Sequence, residues 1–286
     1  MKEAETLYKF NFAGTDYSII NEESAVAGFK NETLYHINIF GMDFGITETI
    51  NNMWILMGIM IILSVIIRIS VNKFNQVPKG IQNFIELLVS GFTDFTKSIM
   101  GEKNKKFAGF YMAMFLFILA SNWAGLFALR NPTADVATTF ALSLTTLTMM
   151  HGFAIYAKGF KGYLSHFFKP YAFLLPINII EKVTPGISLA FRLFGNILGG
   201  AIILSLCYSL TTWLINLVLF VPLGWLIGIV IGVSQAVVLI PLHIFFDIFI
   251  GVLQSFIFVV LSMTFVAREM EEEDHEEHKE KEFLAE

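Results

Sequence analysis

Cysteine is nearly absent: Cys207 stands alone in 286 residues, so neither an intrachain disulfide nor a thiolate metal cluster can form. Inside a long apolar run, it reads as a small buried apolar residue. Charge is almost as scarce. Asp, Glu, Lys and Arg make up 15% of the chain, and a net charge of −5 offers no basic field for nucleic acid. The polar, acidic N-terminal stretch lacks the basic n-region and apolar h-region of a signal peptide, so no cleaved leader is expected. No internal repeat is visible, which counts against an inverted-repeat secondary transporter.

Apolar surface is what the chain has in excess. With 55% hydrophobic residues and a mean hydropathy of +0.66, it carries too much for a soluble fold. The apolar residues come in blocks suited to a hydrocarbon core that needs about 20 residues per helix. An all-α polytopic membrane protein follows. The runs are Trp54 to Ile67, Phe107 to Leu129, Phe140 to Ala157, Tyr171 to Leu210 and Leu214 to Val266. The last two exceed one perpendicular span and predict long, tilted or broken helices. They form a C-terminal hairpin over about 171–267.

Basic residues set the orientation. Arg68, Lys73, Lys79, Lys97, Lys103, Lys105 and Lys106 crowd one connection, and Lys158, Lys161 and Lys169 another. The positive-inside rule makes both cytoplasmic. About five crossings then leave residues 1–52 outside as a polar segment, 53–267 as the membrane domain, and 268–286 as an acidic cytoplasmic tail. Residues 77–100 read as an amphipathic helix on the membrane surface. The tail reads as a solvated, disordered charge run, its His275 and His278 being adventitious metal ligands at most.

Leaving aside His243, the only carboxylate or basic side chains between Gly186 and Ala267 are Arg192 and Asp247. An intramembrane ionisable group is a functional candidate by default, because it must face water, a partner or a pathway. Ser188, Arg192 and Asn196 recur at i, i+4, and His243, Asp247, Gly251 and Gln254 share a face at steps of four, four and three. Glycines among them allow close helix approach. With a hairpin turn near Pro222 to Gly224, positions whose numbers sum to about 446 lie level, at about 1.5 Å per residue. Arg192 is then level with Gln254, and Asp247 with Gly199, Gly200 and Ala201. The offset between Arg192 and Asp247, roughly 10 Å, counts against a simple structural salt bridge. An intramembrane enzyme would need a nucleophile and base or a metal cluster, for which His151 and His243 are too isolated.

The segment Ile187 to Asn196, ISLAFRLFGN, closely resembles the hallmark of subunit a of F-type ATP synthases, the stationary membrane subunit beside the rotating c-ring. The resemblance extends to PTADV at 132–136, LLPINIIE at 174–181 and QSFIF at 254–258, in matching order and spacing. It implies a non-catalytic, ion-translocating subunit without cofactors or a fixed metal. Its implied partners are the c-ring, the peripheral-stalk subunit b, the F1 sector through the complex, and membrane lipid. The implied location is the bacterial plasma membrane, with the long hairpin facing the c-ring.

Residue roles carried by the resemblance are Arg192 as the essential arginine, Gln254 as its neighbour and Asn196 as a polar lining residue. Ser188 and His243 join the same ion path, and Glu181 matches a carboxylate near a half-channel, with local pairing to Lys182 as its alternative. Arg130 and Asp135 mark the outer connection, either functionally or as a loop salt bridge. Many relatives carry a glutamate nine residues after the arginine, where this chain has Ala201; Asp247 stands where histidine is frequent. The carboxylate has thus crossed the helix pair at nearly constant depth. In this the chain resembles sodium-translocating members, with transient Na+ near Asp247, and a proton relay is the alternative.

Overall fold

The computed structural model describes residues 9–12, 15–18, 33–39, 42–71, 78–127, 129–168, 171–218, 233, 236–237 and 240–283. The expected hairpin turn near Pro222 lies outside them. The chain divides into two compact units, one of Asn52–Asn196 with Gly251–Glu286 and another of Met1–Asn51 with Ile197–Ile250.

Among the described residues the architecture is helical apart from two antiparallel hairpins in the N-terminal segment. β1 (Lys9–Phe12) pairs with β2 (Thr15–Ser18), and β3 (Thr33–Ile39) pairs with β4 (Met42–Thr47) in the register Asn38 opposite Asp43. The chain then enters α1 (Glu48–Val71), α2 (Ile81–Met100), α3 (Ala108–Trp123), α4 (Val136–His166), α5 (Leu175–Val218) and α6 (Gly251–Phe283). Among the described residues, four helical segments are long and apolar enough to cross a membrane: Glu48–Ser70, Glu102–Phe127, Leu175–Thr211 and Ile240–Met270. α4 supplies a fifth when its two pieces are taken together; it breaks at Gly159, whose φ of 68° and ψ of 159° suit a residue without a Cβ. Helices are the natural solution here, because lipid offers the backbone no hydrogen-bond partner.

In the first unit, α6 is the element against which α2, α3 and α4 pack. Phe258, Val259, Met263 and Val266 of α6 are buried, as are Tyr111 and Ile118 of α3. The amphipathic α2 stacks Phe95 on Phe256 of α6 at 5.4 Å and tilts Phe92 against Phe115 of α3 at 5.7 Å. It leaves Ile81, Phe84 and Leu87 exposed. Polar contacts mark the helix seams: the Thr146 and Ser262 hydroxyls meet at 2.9 Å between α4 and α6, and Ser143 donates to the Gly186 carbonyl of α5.

Gly186 of α5 lies against Leu147 and Ser143 of α4. A Cβ there would run into Leu147 Cγ and Cδ1 of α4, so any larger residue forces that leucine to move. Gly186→Ala is expected to lower the stability of the assembled protein by about 1–3 kcal/mol in thermal denaturation, the usual penalty of overpacking. Adding Leu147→Ala should recover much of that loss in the same melting assay; an unchanged deficit would refute the clash.

The acidic tail departs from expectation. α6 does not stop at the membrane edge but continues to Phe283. The Glu and Lys that dominate this stretch are good helix formers, so a helix already nucleated in the membrane can propagate through them. Glu269 is no part of a solvated run either: it is buried and pairs with Lys182 of α5 at 2.5 Å. Removing one member leaves the other charge uncompensated. Glu269→Gln should cost about 3–5 kcal/mol in thermal denaturation. The swap of Lys182→Glu with Glu269→Lys should regain most of it, which a merely local helix effect would not.

Candidate ion-path site

α5 carries Ser188, Arg192 and Asn196 on one side and buries the other. Leu189, Ala190 and Leu193 are no more than 1% exposed, whereas Ser188, Arg192 and Asn196 are exposed. The neighbouring Phe191 sets its ring against Phe140 of α4, edge to face at 5.5 Å. Helix periodicity therefore directs the guanidinium away from the packed seam. Arg192 forms no ion pair among the described residues. A charge that cannot be neutralised, on an apolar helix, is left for a group outside this chain.

One turn further along, Asn196 Nδ2 donates to Gln254 Oε1 of α6 at 2.5 Å. Gln254 is 2% exposed, and its Nε2 has no hydrogen-bond partner among the described residues. Level counting pairs Gln254 with Arg192; the amide contact is instead to Asn196, about one helical turn along. A buried, unpaired N–H costs free energy and is suited to a water or a transient acceptor.

In the second unit, His243 stands at the centre of a polar chain. Its Nδ1 is 2.7 Å from Asp247 Oδ2, and its Nε2 is 3.1 Å from the Tyr208 hydroxyl of α5. Both ring nitrogens are thus engaged, which fixes the ring between an acid and a phenol. Asp247 lies within a π-helical segment, Ile244–Ile250, that leads into α6. Such turns bond i to i+5 and gather at functional sites. They also shift the angular phase, so the His243, Asp247, Gly251, Gln254 stripe read with α periodicity is not one straight α-helical face. Depth counting holds better here: a Cβ on Gly200 would meet Cδ1 of Phe246, the residue beside Asp247, at 3.3 Å.

Glu181 is exposed, and the adjacent Lys182 reaches Glu269 across the helices, not Glu181. Asp135 caps α4, its Oδ1 accepting from the Ala137 N–H at 3.0 Å. The Arg130 carbonyl accepts from Asn52 Nδ2 at 3.2 Å.

Several polar residues are not singled out by sequence reasoning. Tyr208 completes the His243 chain but looks like an ordinary membrane aromatic. Asn122 of α3 is buried and donates to the Gly251 carbonyl and Ser255 hydroxyl of α6 at 3.1 and 3.2 Å; its Oδ1 accepts from Thr133 at 2.9 Å. A signal exists for it: Ser121 and Asn122 interrupt an apolar run, where polar side chains mark helix contacts or pathways. Gly251 admits this approach, a Cβ there lying 3.4 Å from Asn122 Cβ and from Trp123.

The ATP synthase A chain family matches residues 50–267. ATP synthase subunit a of Moorella thermoacetica is 31% identical over 194 residues, covering 68% of this chain and 85% of that protein. ATP synthase subunit a of Solidesulfovibrio magneticus is 34% identical over 198 residues, covering 67% of this chain and 79% of that one. A helical chain with up to five membrane spans, an outward arginine and polar groups between its helices is thereby placed: it belongs to the ATP synthase subunit a family, the non-catalytic stationary Fo component through which ion translocation is coupled to rotation.

Proposed function

We propose that Arg192 separates two aqueous half-channels and meets, one after another, the ion-binding carboxylates of a c-ring turning past the exposed side of α5. The carrying observation is that Arg192 is exposed without an ion pair among the described residues, next to an amide pair that leaves its charge uncompensated. A carboxylate passing through lipid must be neutral, so it carries its ion; facing a guanidinium it is more stable ionised, and the ion is released. Ions cannot shunt directly past the fixed charge. Each must ride the ring, gaining about 2.3 kcal/mol per 100 mV. Asn196, Gln254 and Ser188 line the approach, Glu181 serves one half-channel, and Asp247 with His243 serves the other.

The transported ion is Na+ in this reading. Support comes from Ala201 and Asp247: the intramembrane carboxylate is retained on the opposite helix, with Gly200 against Phe246 keeping the depth. The competing reading is a proton path, favoured by the Tyr208, His243, Asp247 chain, in which neutral imidazole can receive a proton at one nitrogen and release one at the other. The N-terminus lies outside and the C-terminus in the cytoplasm of a bacterial plasma membrane, α2 rests on its cytoplasmic surface, and subunit b and F1 complete the complex.

Reconstituted complex is expected to take up ²²Na+ during ATP hydrolysis even when a protonophore collapses the proton gradient, and Arg192→Ala should abolish that uptake. Proton pumping without sodium uptake would overturn the ion assignment and leave the rotary role standing. Asp247→Asn should slow uptake roughly tenfold, the equivalent of one lost charge-assisted contact. His243→Ala discriminates further: sodium transport should be slowed but not abolished, because Asp247 keeps its carboxylate while losing one partner, whereas a proton relay should fail with either substitution.

A further inference from the structure

An apolar groove lies away from the proposed ion path. This groove of about 740 Å³ opens between α1 and the pair α3 and α4, walled by Met57, Ser64 and Arg68 of α1, Phe110 and Phe117 of α3, and Leu142 of α4. Only 6% of the α1 spanning window is buried within the chain, so this helix has little protein to pack against among the described residues. From Met57 to Ile69 the wall runs about 18 Å at 1.5 Å per residue, close to the ~15 Å depth of one leaflet of a ~30 Å hydrocarbon core. Its charge is confined to one end. Arg68 stands in the last turn of α1, exposed and without an ion pair among the described residues.

We propose that the groove is a binding site for an anionic phospholipid of the leaflet at the Arg68 end, with an acyl chain against Met57, Phe110, Phe117 and Leu142 and the phosphate against the Arg68 guanidinium. The volume falls in the range of ordinary ligand sites. A partner helix would extend over both leaflets and need a carboxylate to meet Arg68, whereas a lipid matches both the one-leaflet length and the one-ended charge. Arginine recognises phosphate oxygens by paired N–H donors. Bound there, the lipid completes the packing that α1 lacks.

The test uses the whole assembled complex in nanodiscs containing phosphatidylglycerol with a photoactivatable acyl chain, and phosphatidylcholine bearing the same group as comparator. Mapped adducts are expected on residues 57–69 and 110–117 with phosphatidylglycerol, and several times fewer with phosphatidylcholine. Arg68→Gln should reduce the phosphatidylglycerol adducts roughly fivefold, as for removal of one basic residue facing an anionic surface. Ala113→Trp, which fills the groove, should reduce adducts from both lipids. Equal labelling by the two lipids, insensitive to Arg68→Gln, would mean ordinary annular lipid and overturn the proposal. So would absence of lipid adducts together with α1 cross-linking to another subunit. The wild-type headgroup comparison decides the matter even if the tryptophan variant fails to assemble.

Discussion

A guanidinium that cannot lose its proton, carried on the outward side of an apolar helix, is the constraint that orders the rest of this molecule. Left in lipid it would be prohibitively unfavourable; turned into the helix seam it would find its charge cancelled by a structural partner. The chain takes neither course. Leu189, Ala190 and Leu193 fix the helix by packing, and Arg192 on the other side stays uncommitted to any carboxylate among the described residues. Charge neutralisation is assigned elsewhere, to Lys182 and Glu269, ten residues before Arg192 on the same helix and on α6.

The two polar centres differ in kind, and the difference has physical content. Asn196 with Gln254 is a neutral amide contact that can polarise water or an ion without trapping it. Tyr208, His243 and Asp247 form a hydrogen-bonded chain of a phenol, an imidazole and a carboxyl group. A neutral environment near Arg192 leaves its positive charge uncompensated. Around them, uncharged polar contacts such as Thr146 with Ser262 and Asn122 with Ser255 hold helices together where a hydrophobic driving force is missing.

Much of this is legible in the chain itself because bilayers write strong signals. Span lengths, the amphipathic helix, expected over 77–100 and found as Ile81–Met100, and the isolated Arg192 come directly from apolar run length, periodicity and charge scarcity. Gly200 opposite Phe246 follows from counting residues about a hairpin, even though the turn itself lies outside the described residues. Other features are hidden for physical reasons. Glu269 looks like the start of a solvated tail because its partner, Lys182, is remote in sequence. Tyr208 and Asn122 are inconspicuous until tertiary packing brings His243 and Gly251 beside them. The tail itself has a composition typical of both disorder and helix, and α6 runs through it as far as Phe283.

The π-helical stretch around Asp247 separates two properties that an unbroken α-helix would lock together. In regular geometry the azimuth of every side chain is fixed by its distance in sequence from Gln254. Wider turns between Ile244 and Ile250 relax that linkage, so the acid can be aimed independently of the buried amide. Removing a single residue from this stretch would let it return to regular α winding while the helix on either side keeps nearly the same face, because the wide turns have already absorbed the extra residue. Only the side chains within the stretch, Asp247 among them, would then be re-aimed, with no change in the packing face of α6.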